Sequence, residues 1–216
     1  MKELCSTSGY RRFGPLKIIL LGDSGVGKSC LIRRYICGEF RERSPPTVSV
    51  DFFAKTIELE GEGGEKTAPI SVQIWDPAGQ ERFHSLGTIF YRGIEAAILV
   101  YDPCEESSFR NLETWLENFR ATAGEKVPLI VVESKADVVQ SSPCLRKVLL
   151  FQALEWCAAR GLEHRVVSAS EQRGVEALFE EAARVGLAYR RSLPEDKNPP
   201  PVEIYYPAEK KKSCYC

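Results

Sequence analysis

An α/β fold with a mostly parallel six-stranded sheet, helices on both faces and one antiparallel edge strand is predicted by three features of the chain. Short apolar runs of buried-strand length alternate with segments of helical period. Two β-branched and aromatic runs, 48–60 and 70–76, flank Gly61-Glu62-Gly63-Gly64, a hairpin turn that supplies the antiparallel edge. The first apolar run, Leu16 to Leu21, opens directly into Gly22-Asp23-Ser24-Gly25-Val26-Gly27-Lys28-Ser29, a G-x-x-x-x-G-K-S turn followed by an amphipathic segment.

Taken in order, residues 1–14 are short, polar and mixed, and read as an unstructured arm. Leu16 to Leu21 is a buried strand, and Ser29 to Cys37 a helix ended by Gly38. Pro45 and Pro46 make the stretch from Glu39 to Val48 a loop. After the hairpin, Ala96 to Tyr101 and Leu129 to Val132 are buried strands, separated by one helical pattern through Phe109, Leu112, Trp115, Leu116 and Phe119. A helix carrying Leu145, Val148, Leu149 and Leu154 follows Pro143, then a strand at Arg165 to Val167 and a helix from Val175 to about Tyr189.

Composition bounds the function. A chain of 216 residues fits one well-filled domain with a tail. With 29 Lys+Arg against 30 Asp+Glu there is no overall field to favour nucleic acid. The 8 cysteines are scattered, apart from Cys214 and Cys216 at the end, with no C-x-x-C pair, which fits a reducing compartment. No run reaches the ~18 apolar residues that span a bilayer, and the N-terminus has no signal-like core.

Ligands of open parallel sheets sit at the carboxyl ends of the strands, so the loops there carry the chemistry. In the glycine-rich turn, Gly25 and Gly27 let successive N–H groups face an anion, Lys28 reaches β/γ-phosphates and Ser29 offers a hydroxyl to Mg²⁺. Asp76-Pro77-Ala78-Gly79-Gln80 ends the strand at 70–76: a carboxylate for a metal-bound water, an N–H for a γ-phosphate and an amide to orient water. Thr47 is a second hydroxyl for the metal.

The order GDSGVGKSC, Thr47, WDPAGQERF, SKAD and SAS resembles a small GTPase, and VSVDFF, VQIW, RFHSL, FYRG and LVYD narrow the resemblance to the Rab family. It covers residues 15–190, while RFHSLGTIFYRG and Trp156-Cys157 most resemble the late-endosomal or lysosomal branch. The resemblance implies a P-loop NTPase G domain that binds GTP or GDP with Mg²⁺, hydrolyses GTP slowly, and regulates membrane trafficking. It places Asp23, Ser24, Gly25, Val26, Gly27, Lys28, Ser29 and Cys30 around the phosphates, and Ser29, Thr47 and, through water, Asp76 at the metal. Gly79 would meet the γ-phosphate and Gln80 would orient the attacking water as the catalytic residue. Phe40 would cover the guanine edge, Lys135 would lie along the base, Asp137 would accept from its N–H groups and Ala169 would donate to its carbonyl. Phe52, Trp75 and Phe90 would form an effector patch, the other reading of them being plain core. Implied partners are an exchange factor, an activating protein, effectors and a prenyl-binding dissociation inhibitor, acting on a monomer.

Several residues depart from that pattern. Ser134 stands where N-K-x-D has asparagine, and its single hydroxyl predicts a weakened bridge between the base and phosphate loops. Pro77 replaces a threonine and Ser170, after Ser168 and Ala169, replaces a lysine. These changes leave open a scaffold that cycles nucleotide poorly; a nucleotide kinase is disfavoured by Gln80 and the Lys135/Asp137 pair. From 191 the chain turns proline-rich and ends Lys210-Lys211-Lys212-Ser213-Cys214-Tyr215-Cys216. By itself that is a frayed end or a weak metal site. After a Rab-like domain it resembles a double prenylation signal, which would tether the protein to the cytosolic face of an internal membrane, with a cytosolic pool.

Overall fold

The structure, a computed structural model, describes residues 14–42, 47, 50–59, 69–77 and 88–194. Strands β1 (Leu16–Leu21), β2 (Asp51–Ile57), β3 (Ile70–Asp76), β4 (Ala96–Tyr101), β5 (Leu129–Glu133) and β6 (Glu163–Val166) form one sheet in the order β2-β3-β1-β4-β5-β6. Only β2 is antiparallel, paired to β3 from Asp51↔Asp76 to Ile57↔Ile70. All strands from β3 to β6 are parallel, so their carboxyl ends open on one side.

Both faces of the central strands are covered, which is why their sequences are continuously apolar rather than alternating. On one face Leu16, Ile18, Leu20, Ile98 and Val100 pack under helices α1 (Lys28–Cys37) and, at the far end of the chain, the helix Val175–Ser192. Tyr35 and Phe179 stack there at 4.3 Å between ring centroids. On the other face Ile19, Leu21, Leu99 and Tyr101 meet the helix Leu112–Ala123, through Leu112, Trp115, Leu116 and Phe119, and Ala153 and Cys157 of the helix Leu150–Ala158. Among the described residues the α-helices are, in chain order, α1, α2 (Glu106–Arg110), α3 (Leu112–Ala123), α4 (Ala136–Ser141), α5 (Leu150–Ala158) and α6 (Val175–Ser192).

Burying one Leu or Phe in these layers contributes about 1.5–3 kcal/mol, so a few such contacts rival the whole net stability. A buried ion pair ties the lower edge: Arg190 of α6 meets Glu95 at the entrance to β4, with Nη2 to Oε2 at 2.6 Å. The guanidinium also donates to the carbonyls of Gly14 (2.8 Å) and Pro15 (3.0 Å), so Gly14 belongs to the fold rather than to the arm.

Other boundaries differ from the sequence reading. The pattern through Phe109 and Phe119 is two helices broken at Asn111, which caps α3. The segment after Pro143 is a 3₁₀ turn, Pro143–Leu145, and helix starts only at Leu150. There Leu145, Leu149 and Leu154 are exposed at 49%, 46% and 47%, while the small Ala153 and Cys157 point inward, so the leucine pattern misplaced the helix face. β6 begins two residues earlier than the predicted Arg165, and α6 continues to Ser192. The glycine hairpin turn 61–64 lies outside the described residues.

Candidate functional site

β1 delivers the chain into the glycine-rich turn, and the close fit of that turn against β4 requires Gly22. Its φ is +134°, and a Cβ there would lie 2.2 Å from the carbonyl oxygen of Val100. Gly27, at φ 105°, caps the start of α1, whose first residue is Lys28. The Lys28 side chain is buried and folds back along the loop, Nζ donating to the carbonyls of Gly22 (2.6 Å) and Asp23 (2.7 Å). Burial pushes its pKa down to about 8, opposed by the charges of Asp76 and Asp23.

A cavity of about 690 Å³ opens above the strand ends. Of the predicted residues, Ser24, Gly25, Gly27, Lys28, Ser29 and Cys30 line its phosphate-loop wall; Phe40 and Thr47 line another. Ser134, Lys135, Asp137, Ala169 and Ser170 line the base side. Asp23, Val26, Asp76 and Ser168 do not: Val26 is core, Asp76 and Ser168 are buried, and the Asp23 carboxylate turns to α3, accepting from Asn111 Nδ2 (2.7 Å) and Trp115 Nε1 (2.8 Å). Sequence reasoning placed Trp115 in the core and missed that brace. Gly79, Gln80, Cys214 and Cys216 lie outside the described residues.

Near Lys28, Ser29 Oγ and Thr47 Oγ1 stand 2.9 Å apart. Asp76, at the end of β3, is 1% exposed, and its Oδ1 has no hydrogen-bond partner among the described residues. Burial raises its pKa, while a hydrogen bond from Ser29 and the charge of Lys28 work against the rise. Two hydroxyls and a buried, under-coordinated carboxylate are hard oxygen donors that fit a small divalent cation.

On the base side Lys135 adopts φ 53° and its Nζ pairs with Asp102 Oδ2 at 2.6 Å. Ser168, buried behind the wall, donates to Asp137 Oδ1 at 2.6 Å and meets Ser170 Oγ at 3.0 Å. Partial burial would raise the Asp137 pKa, but the Ser168 and Ser170 hydrogen bonds, a backbone N–H and the charge of Arg173 together outweigh it and hold the carboxyl below its usual range. Arg34, another residue missed in the sequence, donates to Ala169 O (2.6 Å), Ser170 O (3.0 Å) and Gly38 O (2.6 Å), linking the 168–170 loop to the end of α1.

The bridge expected to weaken at Ser134 is made: Oγ donates to Val26 O at 2.6 Å and lies 2.9 Å from Tyr101 O. Its one proton serves one carbonyl at a time, and Val26 is the nearer. Across the sheet edge, Phe52 is 61% exposed and its ring lies 5.8 Å from that of Trp75, which lies 5.8 Å from Phe90. The three form a continuous aromatic stripe that reaches the surface, with Trp75 and Phe90 half-buried.

A phosphate loop facing a carboxylate-bearing base loop across one cavity defines a nucleotide-binding P-loop domain of the G-domain type. The Ras family matches residues 17–187 of the chain. Rab7 of Gossypium hirsutum is 39% identical over 202 residues, covering 91% of this chain and 89% of the relative. RABG3a of Arabidopsis thaliana is 41% identical over 183 residues (82% and 85%), and human Rab-30 is 40% identical over 163 (76% and 75%). The chain therefore belongs to the Ras family and, within it, to the Rab small GTPases. It is a guanine-nucleotide-binding GTPase of membrane trafficking that hydrolyses GTP to GDP.

Proposed function

We propose that this chain is a Mg²⁺-dependent GTP/GDP switch held by a lipid anchor on the cytosolic face of late-endosomal or lysosomal membranes. The observation that carries the switch is the placement of Ser29 Oγ 2.9 Å from Thr47 Oγ1. Thr47 belongs to the loop between α1 and β2, so whatever both hydroxyls bind controls that loop. Ser29, Thr47 and Asp76 would hold the Mg²⁺, which when bound neutralises phosphate charge.

The chain's own residues do the rest. Lys28 and the loop amides position the terminal phosphate, Gln80 orients water and the Gly79 N–H meets the developing charge. Asp137 accepts hydrogen bonds from guanine N–H groups, Lys135 lies along the ring and the Ala169 N–H meets the guanine carbonyl. Adenine offers no matching donors, and a partly buried carboxylate left unpaired is costly. The Phe52–Trp75–Phe90 stripe, carried by β2, β3 and the 3₁₀ turn Thr88–Tyr91, is read by effectors. A G domain at 14–192 between an arm and a tail, with Cys214 and Cys216 prenylated beside three lysines, gives stable anchoring, because two chains hold where one is marginal.

Single-turnover hydrolysis of wild type and Gln80→Leu tests the chemistry, and GDP release with and without Mg²⁺ tests the metal. The reading requires Gln80-dependent turnover and release speeded by chelation; unchanged values in either assay contradict it. Imaging of Cys214→Ser/Cys216→Ser tests the anchor, which predicts a purely cytosolic protein. Wild type away from late-endosomal membranes would contradict the organelle.

A further inference from the structure

β5 ends on a residue that the packing of the strand does not ask for. Leu129, Ile130, Val131 and Val132 are apolar and buried, and the next residue, Glu133, is a carboxylate with 0% exposure. A charge taken out of water is tolerated only when fully paired. Its Oε1 accepts from Arg146 Nη2 at 2.6 Å, and its Oε2 from Arg146 Nη1 at 2.9 Å and from the Tyr101 hydroxyl at 3.0 Å. The two-pronged guanidinium contact fixes orientation as well as distance.

The partners show what is being held. Ser134, Lys135 and Asp137 of the nucleotide cavity lie on the segment between Glu133 and Arg146, so the ion pair staples both ends of the base-reading segment. Arg146 Nη1 also donates to Val148 O (2.9 Å), and the N–H groups of Lys147 and Val148 donate to Pro103 O (2.8 and 3.0 Å), locking the far end. At the near end, the Tyr101 carbonyl accepts the Ser134 N–H at 3.0 Å. The Glu133 carbonyl accepts the Val167 N–H at 2.9 Å, which sets the strand leading to Ser168–Ser170. From β6, His164 Nε2 lies 3.1 Å from the Tyr101 hydroxyl.

We propose that Glu133, clamped by Arg146 and Tyr101, is a positioning residue for guanine recognition that sets where Asp137 and Lys135 stand relative to the phosphate loop. The proposal rests on guanine-nucleotide binding in this cavity and assigns the source of its geometry. A merely structural ion pair predicts loss of stability alone. A positioning role predicts loss of base discrimination even where stability is kept.

The full-length protein is tested with GDP and with IDP, which lacks the exocyclic amine. Glu133→Gln and Arg146→Met release GDP about tenfold faster than wild type and narrow the GDP-over-IDP preference by a similar factor. The apolar pair Glu133→Leu/Arg146→Met recovers the wild-type melting temperature but keeps the fast release and the narrowed preference. Phe119→Leu, a core change in α3 where the ring packs edge-on against Tyr91, lowers the melting temperature and leaves the preference intact. The proposal is overturned if release and preference track melting temperature across all four variants, or if Glu133→Gln retains wild-type preference. Wild type that does not prefer GDP over IDP would instead refute guanine reading at this cavity, and the positioning role with it.

Discussion

Replacing Ser134 by alanine tests whether one hydroxyl couples the two halves of the nucleotide cavity. The side chain is 1% exposed and donates to Val26 O at 2.6 Å, with Tyr101 O at 2.9 Å as the second acceptor. In Ser134→Ala the Tyr101 carbonyl keeps the Ser134 backbone N–H at 3.0 Å, but Val26 loses this donor. An acceptor stripped of its partner inside the protein costs about 1–3 kcal/mol. If that cost falls on the complex, release accelerates roughly 5- to 140-fold, at ~1.4 kcal/mol per factor of ten. Stopped-flow release of a fluorescently labelled GDP into excess unlabelled GDP, in Mg²⁺, measures it. A release rate within twofold of wild type would refute the coupling, provided both proteins melt at the same temperature.

Gly22→Ala costs about 3–5 kcal/mol in urea unfolding, because its Cβ would sit 2.2 Å from Val100 O at a positive φ. Gly25→Ala, at φ +80° with nothing within 4 Å, costs only roughly 1–2 kcal/mol, so equal losses would contradict the close-approach argument. Arg190→Met leaves Glu95 buried without its counter-charge, held only by the Lys17 N–H (3.0 Å), and lowers stability by about 3–5 kcal/mol, whereas Arg190→Met/Glu95→Leu recovers part of it. A small effect in the single variant would show that the pair is dispensable. Burial pushes the His164 pKa below its ordinary value; Glu133 opposes this and Arg165 and Arg146 assist it. The unfolded chain then takes up a proton near pH 6.5 that the folded chain resists, so stability is full above pH 6.5 and falls as pH drops below it. The urea midpoint of wild type therefore declines between pH 6.5 and 5 more steeply than that of His164→Gln, and parallel declines would sink the assignment.

Where the physics is local, the sequence was legible. β1, β3 and β4 match the predicted Leu16–Leu21, Ile70–Asp76 and Ala96–Tyr101: β1 and β4, covered on both faces, read as almost continuous apolar runs, and β3 as a β-branched and aromatic run with alternating burial. The glycine turn was legible for a similar reason: its backbone geometry tolerates few residue types. β6 was misplaced because Glu163-His164-Arg165 at the sheet edge offers no apolar run, and α5 because its exposed leucines mimic a core face. α4, a helix of 6 residues inside the base-reading segment, has too few positions to show a period. The polar braces escaped detection because their partners are distant in the chain. Trp115 and Asp23 are 92 positions apart, and Arg190 and Glu95 are 95 apart. Nothing in the neighbourhood of Glu133 announces that Arg146 will neutralise it.

Titration calorimetry of nucleotide-stripped protein with GDP and with ADP, each in Mg²⁺, bears most directly on the claim that one cavity reads phosphate on one wall and guanine on the other. Tight binding of GDP with no measurable heat from ADP is the expected result. Comparable affinities for the two, or no binding of GDP at micromolar concentrations, would contradict it.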